Sequence, residues 1–413
     1  MGTQFRFAVA AICALLAGCQ TWGPNAVSVT GTGDPSRDVP AVQTAVDAGG
    51  TVVLSGNFDF GDKGRVTIRR SVAITGRAGA RIQGGFWTFF SPLPEALPPK
   101  QPGPQISIQN IHFDGALWTP INVVHASRLA VSANRITNVR AHPYPRPEAP
   151  NLQILQGLLF GTFAADADPA KRSYVPDSLT GSVIIEDNVI DVATPNPLST
   201  LGQGIWGVWT TGIEARIARN RVSNASRNGI EMIDNYRAMD GKGHVRIEAN
   251  IITTPTTGVP VPTPRTPNGI VLGFFLDPAA GADPTRNSKY VAEKNIIELR
   301  GGTSLGIAVF SDGAEVRNNE ISATGADSQP IFLASSNGHI TSNIFRGAGN
   351  YVVNLTPFRA MTASRNRITG NDLRHFKAVG AQILFSKGAA DNSCAQNDGL
   401  EKVADQGSGN RCP

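Results

Sequence analysis

Between residues 110 and 385 the chain repeats one arrangement of apolar and polar positions. A short alternating strand leads to an Asn, one variable residue, a β-branched or aromatic residue and a turn, and a second apolar strand then opens on Gly-Ile or a close variant. Asn110, Asn134, Asn188, Asn220, Asn250, Asn295, Asn319, Asn343 and Asn366 fit the phrase. After the less regular first instance, the position two residues on is Ile136, Ile190, Val222, Ile252, Ile297, Ile321, Phe345 and Ile368. The steps 110 to 134, 295 to 319, 319 to 343 and 343 to 366 are 24, 24, 24 and 23 residues, and the wider gaps mark insertions.

The second strands begin at Pro120-Ile121, Gly157-Leu158, Gly204-Ile205, Gly229-Ile230, Gly269-Ile270, Gly306-Ile307, Pro330-Ile331, Tyr351-Val352 and, loosely, Gly380-Ala381. Because side chains alternate along a strand, Ile230 and Met232 point inward and Glu231 points out. Stacked coils of this kind bury one continuous aliphatic core. Upstream, Asp38 to Asp47 reads as an amphipathic helix with Val39, Val42 and Val46 on one face and Gly49-Gly50 ending it, a cap for the open end of the core. Thr51 to Leu54 then starts the stack, and Phe58, Val66, Ile68, Val72, Ile74 and Ile82 continue it. After Asp391 the apolar period fades.

This phrasing resembles the right-handed parallel β-helix superfamily of pectate lyases, polygalacturonases, alginate lyases and mannuronan epimerases over roughly residues 38 to 385. The resemblance implies an all-β, right-handed parallel β-helix (solenoid) with a short N-terminal capping helix. It implies a turn role for the nine Asn between the second and third sheets, where the amide bonds along a ladder and tolerates left-handed backbone. It also implies a substrate groove along one sheet.

Composition agrees, with 44 Gly, 17% charged and 7% aromatic residues favouring short strands and tight turns over helix. The first residues carry Arg6, an apolar run from Phe7 to Leu16, and Leu16-Ala17-Gly18-Cys19, a secretory signal too short to span a bilayer. Leu-Ala-Gly-Cys resembles the bacterial lipobox, which implies cleavage before Cys19, acylation of its thiol and loss of Cys13. With Gln20 after the cysteine, an outer-membrane destination is expected. The expected organisation is a signal peptide at 1–18, a linker at 19–37, the β-helix at 38–391 and a C-terminal tail at 392–413.

Cys394 and Cys412 then remain for pairing, and an oxidising compartment favours a disulfide that closes the tail. The formal charge of +5 suits an anionic partner such as an acidic glycan. In an exported protein, Arg135, Arg219, Arg221, Arg317, Arg365 and Arg367 beside the ladder read as a solvated positive ridge rather than a nucleic-acid site.

Function on a smooth solenoid comes from what decorates it. Pro-rich insertions at His142 to Asn151, Pro195 to Leu201 and Pro255 to Pro267 precede Gly-Ile strands, whereas Ala164 to Thr180 and Pro278 to Ser288 follow them. Loops on both edges of one sheet wall a groove. Aligning the coils places Asn122, Trp206 and Glu231 at the first outward position, followed along the row by Val271, Ala308, Phe332 and Val353. His125, Trp209 and Asp234 lie three residues further on. Trp faces stack on sugars and carboxylates exchange protons, so Glu231 and Asp234 are candidate catalytic groups, with Tyr236 or His244 as base and Asp240 nearby. Trp206, Trp209, Asn122 and His125 are candidate substrate contacts.

The enzyme signatures are missing. The Asp-Asp, Gly-His-Gly and Arg-Ile-Lys motifs of polygalacturonases are absent, and Asp283-Pro284-Thr285-Arg286 keeps only the first half of the epimerase Asp-Pro-His-Asp. No consecutive aspartates suggest calcium, the six His lack metal-ligand spacing, and neither a phosphate loop nor a Ser elbow occurs, so no cofactor is expected. An acidic-polysaccharide lyase or epimerase, a non-catalytic envelope binding protein and a structural or adhesive role all remain open.

Overall fold

The computed structural model describes residues 26–96, 99–144, 150–161, 178–197, 199–208, 212–233, 243–256, 267–273, 289–358 and 361–413. Within them the chain winds as a right-handed parallel β-helix whose three sheets hold 13, 11 and 13 strands, taken in the order each coil visits them. Neighbouring coils pair in parallel. In the third sheet, His142–Pro143 runs antiparallel to Gln153–Gly161.

Inward positions stack like on like. Ile185, Ile217 and Ile247 follow one another in the first sheet, Ile190, Val222 and Ile252 in the second, and Ile205, Ile230 and Ile270 in the third. All nine are at most 1% exposed and belong to one core. Each such side chain contributes ~1.5–3 kcal/mol on burial. The glycine of the Gly-Ile phrase has a steric cause: a Cβ on Gly229 would stand 2.5 Å from Ile252 Cγ2 and 2.6 Å from the Gly269 carbonyl oxygen. Gly157, Gly204, Gly269 and Gly306 are confined in the same way.

The Asn ladder forms at the turn between the first and second sheets, the two that follow the Gly-Ile sheet along each coil. Asn220 Nδ2 donates to the Ile185 carbonyl of the preceding coil and to Asn250 Oδ1, while its backbone N–H donates to the same Oδ1. The pattern runs without a break through Asn134, Asn188, Asn220, Asn250, Asn295, Asn319, Asn343, Asn371 and Asn397. The left-handed residue is the one before each Asn, as at Arg219 (φ 54°) and Ala249 (φ 53°), because the Asn must keep its amide aimed along the stack.

Two expected members lie elsewhere. Asn110 takes the left-handed position itself (φ 59°), and Ile111 fills the ladder slot. Asn366 begins a second ladder, through Asn392 to Asn410, at the turn that enters the first sheet. Accordingly Ile368 continues the first sheet, beside Ile340.

The helix spans Pro35–Ala48, starting earlier than Asp38 because Asp34 caps it by accepting from the Ser36 N–H. Val42, Ala45 and Val46 close the core, while Val39 is partly buried against it. Asp38 is 1% exposed, and its carboxylate accepts from Thr32 N–H, Thr32 Oγ1, Gly33 N–H and Asp59 N–H, tying the cap to the first coil. Inside the stretch expected to be linker, Ala26–Thr30 pairs with Gly50–Ser55 and adds a strand to the first sheet. At the other end the tail is also part of the stack: Ser393–Ala395 joins the first sheet and Val403–Asp405 the third. Cys394, beneath Ile368, is disulfide-bonded to Cys412 and closes the core.

Candidate functional site

The outward row of the third sheet follows from the register. Phe90, Asn122, Leu159, Trp206, Glu231, Val271, Ala308, Phe332, Asn354 and Leu384 stand in successive coils. Trp206 and Glu231 are therefore neighbours, as the alignment of coils predicts. Val353 does not belong to this row; it lies in the core beside Ile331, because the last coils start their strand one residue later than Tyr351-Val352 suggests.

Trp206 is not an open platform. It is 5% exposed and packs with Trp87, Phe90, Trp118, Leu159 and Val208 in a cluster on the outside of the third sheet. The Arg65 guanidinium lies over Phe86, Trp87 and Phe90 at 4.7–5.1 Å, and His142 stacks on Trp118 at 5.0 Å. Asn122 is 2% exposed between Phe90 and Leu159, and its Oδ1 finds no donor among the described residues. His125 is half-buried, which pushes its imidazole below the ordinary value.

Glu231 is 4% exposed, and two amides, Gln203 Nε2 and Asn228 Nδ2, donate to the same carboxyl oxygen. Burial pushes its carboxyl above the usual carboxylate range, against the pull of the Arg227 guanidinium and the two donors. Around it runs a row of buried amides that the sequence reading missed. Gln156 donates to Gln203, and Asn268 donates to Asn228, so the row crosses four coils. At its ends Gln156 Oε1 and Asn268 Oδ1, on residues 0% and 6% exposed, find no donor among the described residues. A clue lies in the sequence: all four residues stand one place before the Gly of the Gly-Ile phrase.

His244 lies apart. It sits on the outer face of the first sheet, 3.6 Å from Glu214, with its side chain 67% exposed. Its strand turns away from the third sheet, so His244 does not share a site with Glu231. Trp209, Asp234, Tyr236, Asp240 and Cys19 lie outside the described residues. Among the described residues, no group of three His, Cys, Asp or Glu is placed to hold a metal ion, and no helix is long and apolar enough to cross a membrane. The basic ridge beside the ladder is neutralised at Arg219, which bonds Asp187 and Glu186, and at Arg317, which bonds Glu293 and Glu315.

Residues 203–398 match the family model described as right handed beta helix region. No curated protein matches the chain. Among solved structures, PfbA, a surface adhesin of Streptococcus pneumoniae, is 13% identical with a TM-score of 0.57, covering 88% of this chain and 93% of that one. The tailspike of E. coli bacteriophage HK620, solved with a hexasaccharide, is 12% identical with a TM-score of 0.47, covering 94% and 80%. An α-1,3-glucanase catalytic unit from Streptomyces thermodiastaticus is 14% identical with a TM-score of 0.43, covering 94% and 69%. Coil register, buried ladders, the matched family model and the likeness to PfbA together give the chain the fold of a right-handed parallel β-helix protein.

Proposed function

We propose that this chain is an exported, envelope-anchored protein that binds an acidic polysaccharide over the outer face of the third sheet and acts on it as a lyase or epimerase. The buried Glu231 carboxyl within the amide row carries this reading. Both reactions remove the proton beside a uronate carboxyl, and the negative charge that develops on that group must be neutralised. A carboxylic acid kept protonated by its surroundings, flanked by amides, can donate a hydrogen bond to it without a metal. Glu231 thus serves as neutral donor rather than base, and Gln156 Oε1 and Asn268 Oδ1 offer acceptors to sugar hydroxyls. Asp234 and Tyr236 are the remaining candidates for the base.

The second reading, binding without chemistry, is favoured by the burial of Trp206 and Glu231, which leaves neither side chain open to a glycan. The fold serves either reading, because function resides in the site and not the solenoid. Incubation with pectin, alginate and hyaluronan, followed by the ultraviolet absorbance of new unsaturated uronates and by NMR of the C5 configuration, separates the two. Turnover that falls by ~10²-fold in Glu231→Gln supports the catalytic reading. Neither product, with glycan binding that fails in Asp234→Ala and Tyr236→Ala, leaves the binding reading. Lipidation at Cys19 and an outer-membrane position belong to the same proposal, tested by incorporation of a tagged palmitate that Cys19→Ala abolishes.

A further inference from the structure

The outer face of the second sheet is unlike the other two. Among the described residues, five large hydrophobic side chains are exposed, and three of them, Val189 (42%), Ile251 (38%) and Ile296 (49%), stand in one row of this sheet. Coil by coil, the row reads Val189, Arg221, Ile251, Ile296, Glu320, Ile344. The row beside it, two residues along each strand, reads Asp191, Ser223, Thr253, Glu298, Ser322, Arg346.

Both rows are complementary to their own reverse. Turned end for end about the midpoint between Ile251 and Ile296, the first row sets Val189 against Ile344, Arg221 against Glu320, and Ile251 against Ile296. The second sets Asp191 against Arg346, Ser223 against Ser322, and the Thr253 hydroxyl against the Glu298 carboxylate. Such self-complementarity is what a two-fold contact requires, because each residue meets its counterpart twice. A solvated face gains nothing from it.

We propose that two copies of this chain pack through the outer face of the second sheet, about a two-fold axis that runs along the strands between the coils of Ile251 and Ile296. The solenoids lie antiparallel. Ile251, Ile296, Val189 and Ile344 leave water at the centre and ends. Glu320 already bonds Arg346 within one chain at 2.8 Å, so Arg221 and Asp191 of the second copy extend that pair into a four-membered charge network. Six coils at ~4.8 Å spacing give a contact ~24 Å long and one strand wide, small beside the ~1,200–2,000 Å² of stable interfaces, so the dimer is weak. This proposal is independent of the glycan reading, since the third sheet faces elsewhere.

Sedimentation of the full chain from ~1 μM to ~1 mM tests it. A monomer–dimer equilibrium is expected, and a monomer throughout overturns the proposal. Ile251→Asp with Ile296→Asp, checked for fold by circular dichroism, abolishes the dimer; a dimer that persists overturns the proposal. Arg221→Glu alone and Glu320→Arg alone each weaken association by at least ~10-fold, because like charges then meet twice. Mixed together, the two variants regain attraction at both contacts and restore a heterodimer. Failure of the mixture to associate overturns the antiparallel geometry.

Discussion

The outer faces of the first and third sheets belong to the same coils and are built by the same alternation, yet they hold opposite chemistry. On the first sheet, Arg216 reaches Glu186 at 2.9 Å and Glu248 at 2.6 Å, and Arg246 reaches Glu293 at 3.3 Å; both Arg, Glu186 and Glu248 are partly in water, while Glu293 is buried beneath its partner. On the third sheet, Trp206, Glu231, Gln203 and Asn228 are buried, the carboxyl is pushed above the usual range by burial, and both amides donate to it. The difference lies in the side chains each row carries, charged residues on the first sheet and aromatic and amide residues on the third. The same outward position is a solvated ion pair on one wall and a small second core on the other.

The sharpest way to break this contrast is to truncate one side chain on each wall. Trp206→Ala removes a buried aromatic from the third-sheet cluster and is expected to cost ~3–5 kcal/mol in urea unfolding, as an inner-core truncation does. Were the cluster an exposed platform, the loss would be a fraction of that.

Asn228→Ala is the next largest, at ~1–3 kcal/mol, because it takes one of the two amide donors from the Glu231 carboxyl and leaves Asn268 Nδ2 without its acceptor. The same denaturation series measures it, and a cost near zero shows that water reaches the row.

Glu231→Gln sharpens the comparison through pH. The folded carboxyl holds its proton to higher pH than the unfolded one at ~4.3, so the native state binds the extra proton in the window between the two. Its stability contribution is present below the unfolded value and is lost as pH rises through the folded value. The amide variant is expected to be more stable than the parent at neutral pH, with the gap closing as the pH falls toward the unfolded value in thermal scans. The smallest effect belongs to the first sheet: Arg216→Ala is expected to cost under ~1 kcal/mol, and less in high salt.

Much of the solenoid was legible in the residues, because the inward positions obey a local rule. The step of 24 residues, the Asn phrase and the Gly-Ile strand together mark which side chains meet across coils, and the glycine proves to be a packing requirement against Ile252 and its kin. The site was legible only halfway. Alternation and alignment correctly set Trp206 beside Glu231, but placed Val353 outward and grouped His244 with them, and the row of Gln156, Gln203, Asn228 and Asn268 escaped notice although it has a fixed place before each glycine. The ninth Asn is misplaced because spacing points the wrong way: Asn366 follows Asn343 by 23 residues and Asn371 by 28, yet Asn371 continues the ladder, and only the turn each occupies tells them apart.

The residues alone determined the coil, its inward stacks, the capping helix and the cysteine pair at the tail, because each rests on periodicity or short-range geometry that any coil must satisfy. The tertiary structure decided what each outward side chain meets. That depends on which side chains pack beside it across coils and from outside the strand, and no period in the sequence encodes a contact between segments that share no register. Glu231 is thus an outward residue by alternation, and a buried one, its carboxyl pushed above the usual carboxylate range, by packing.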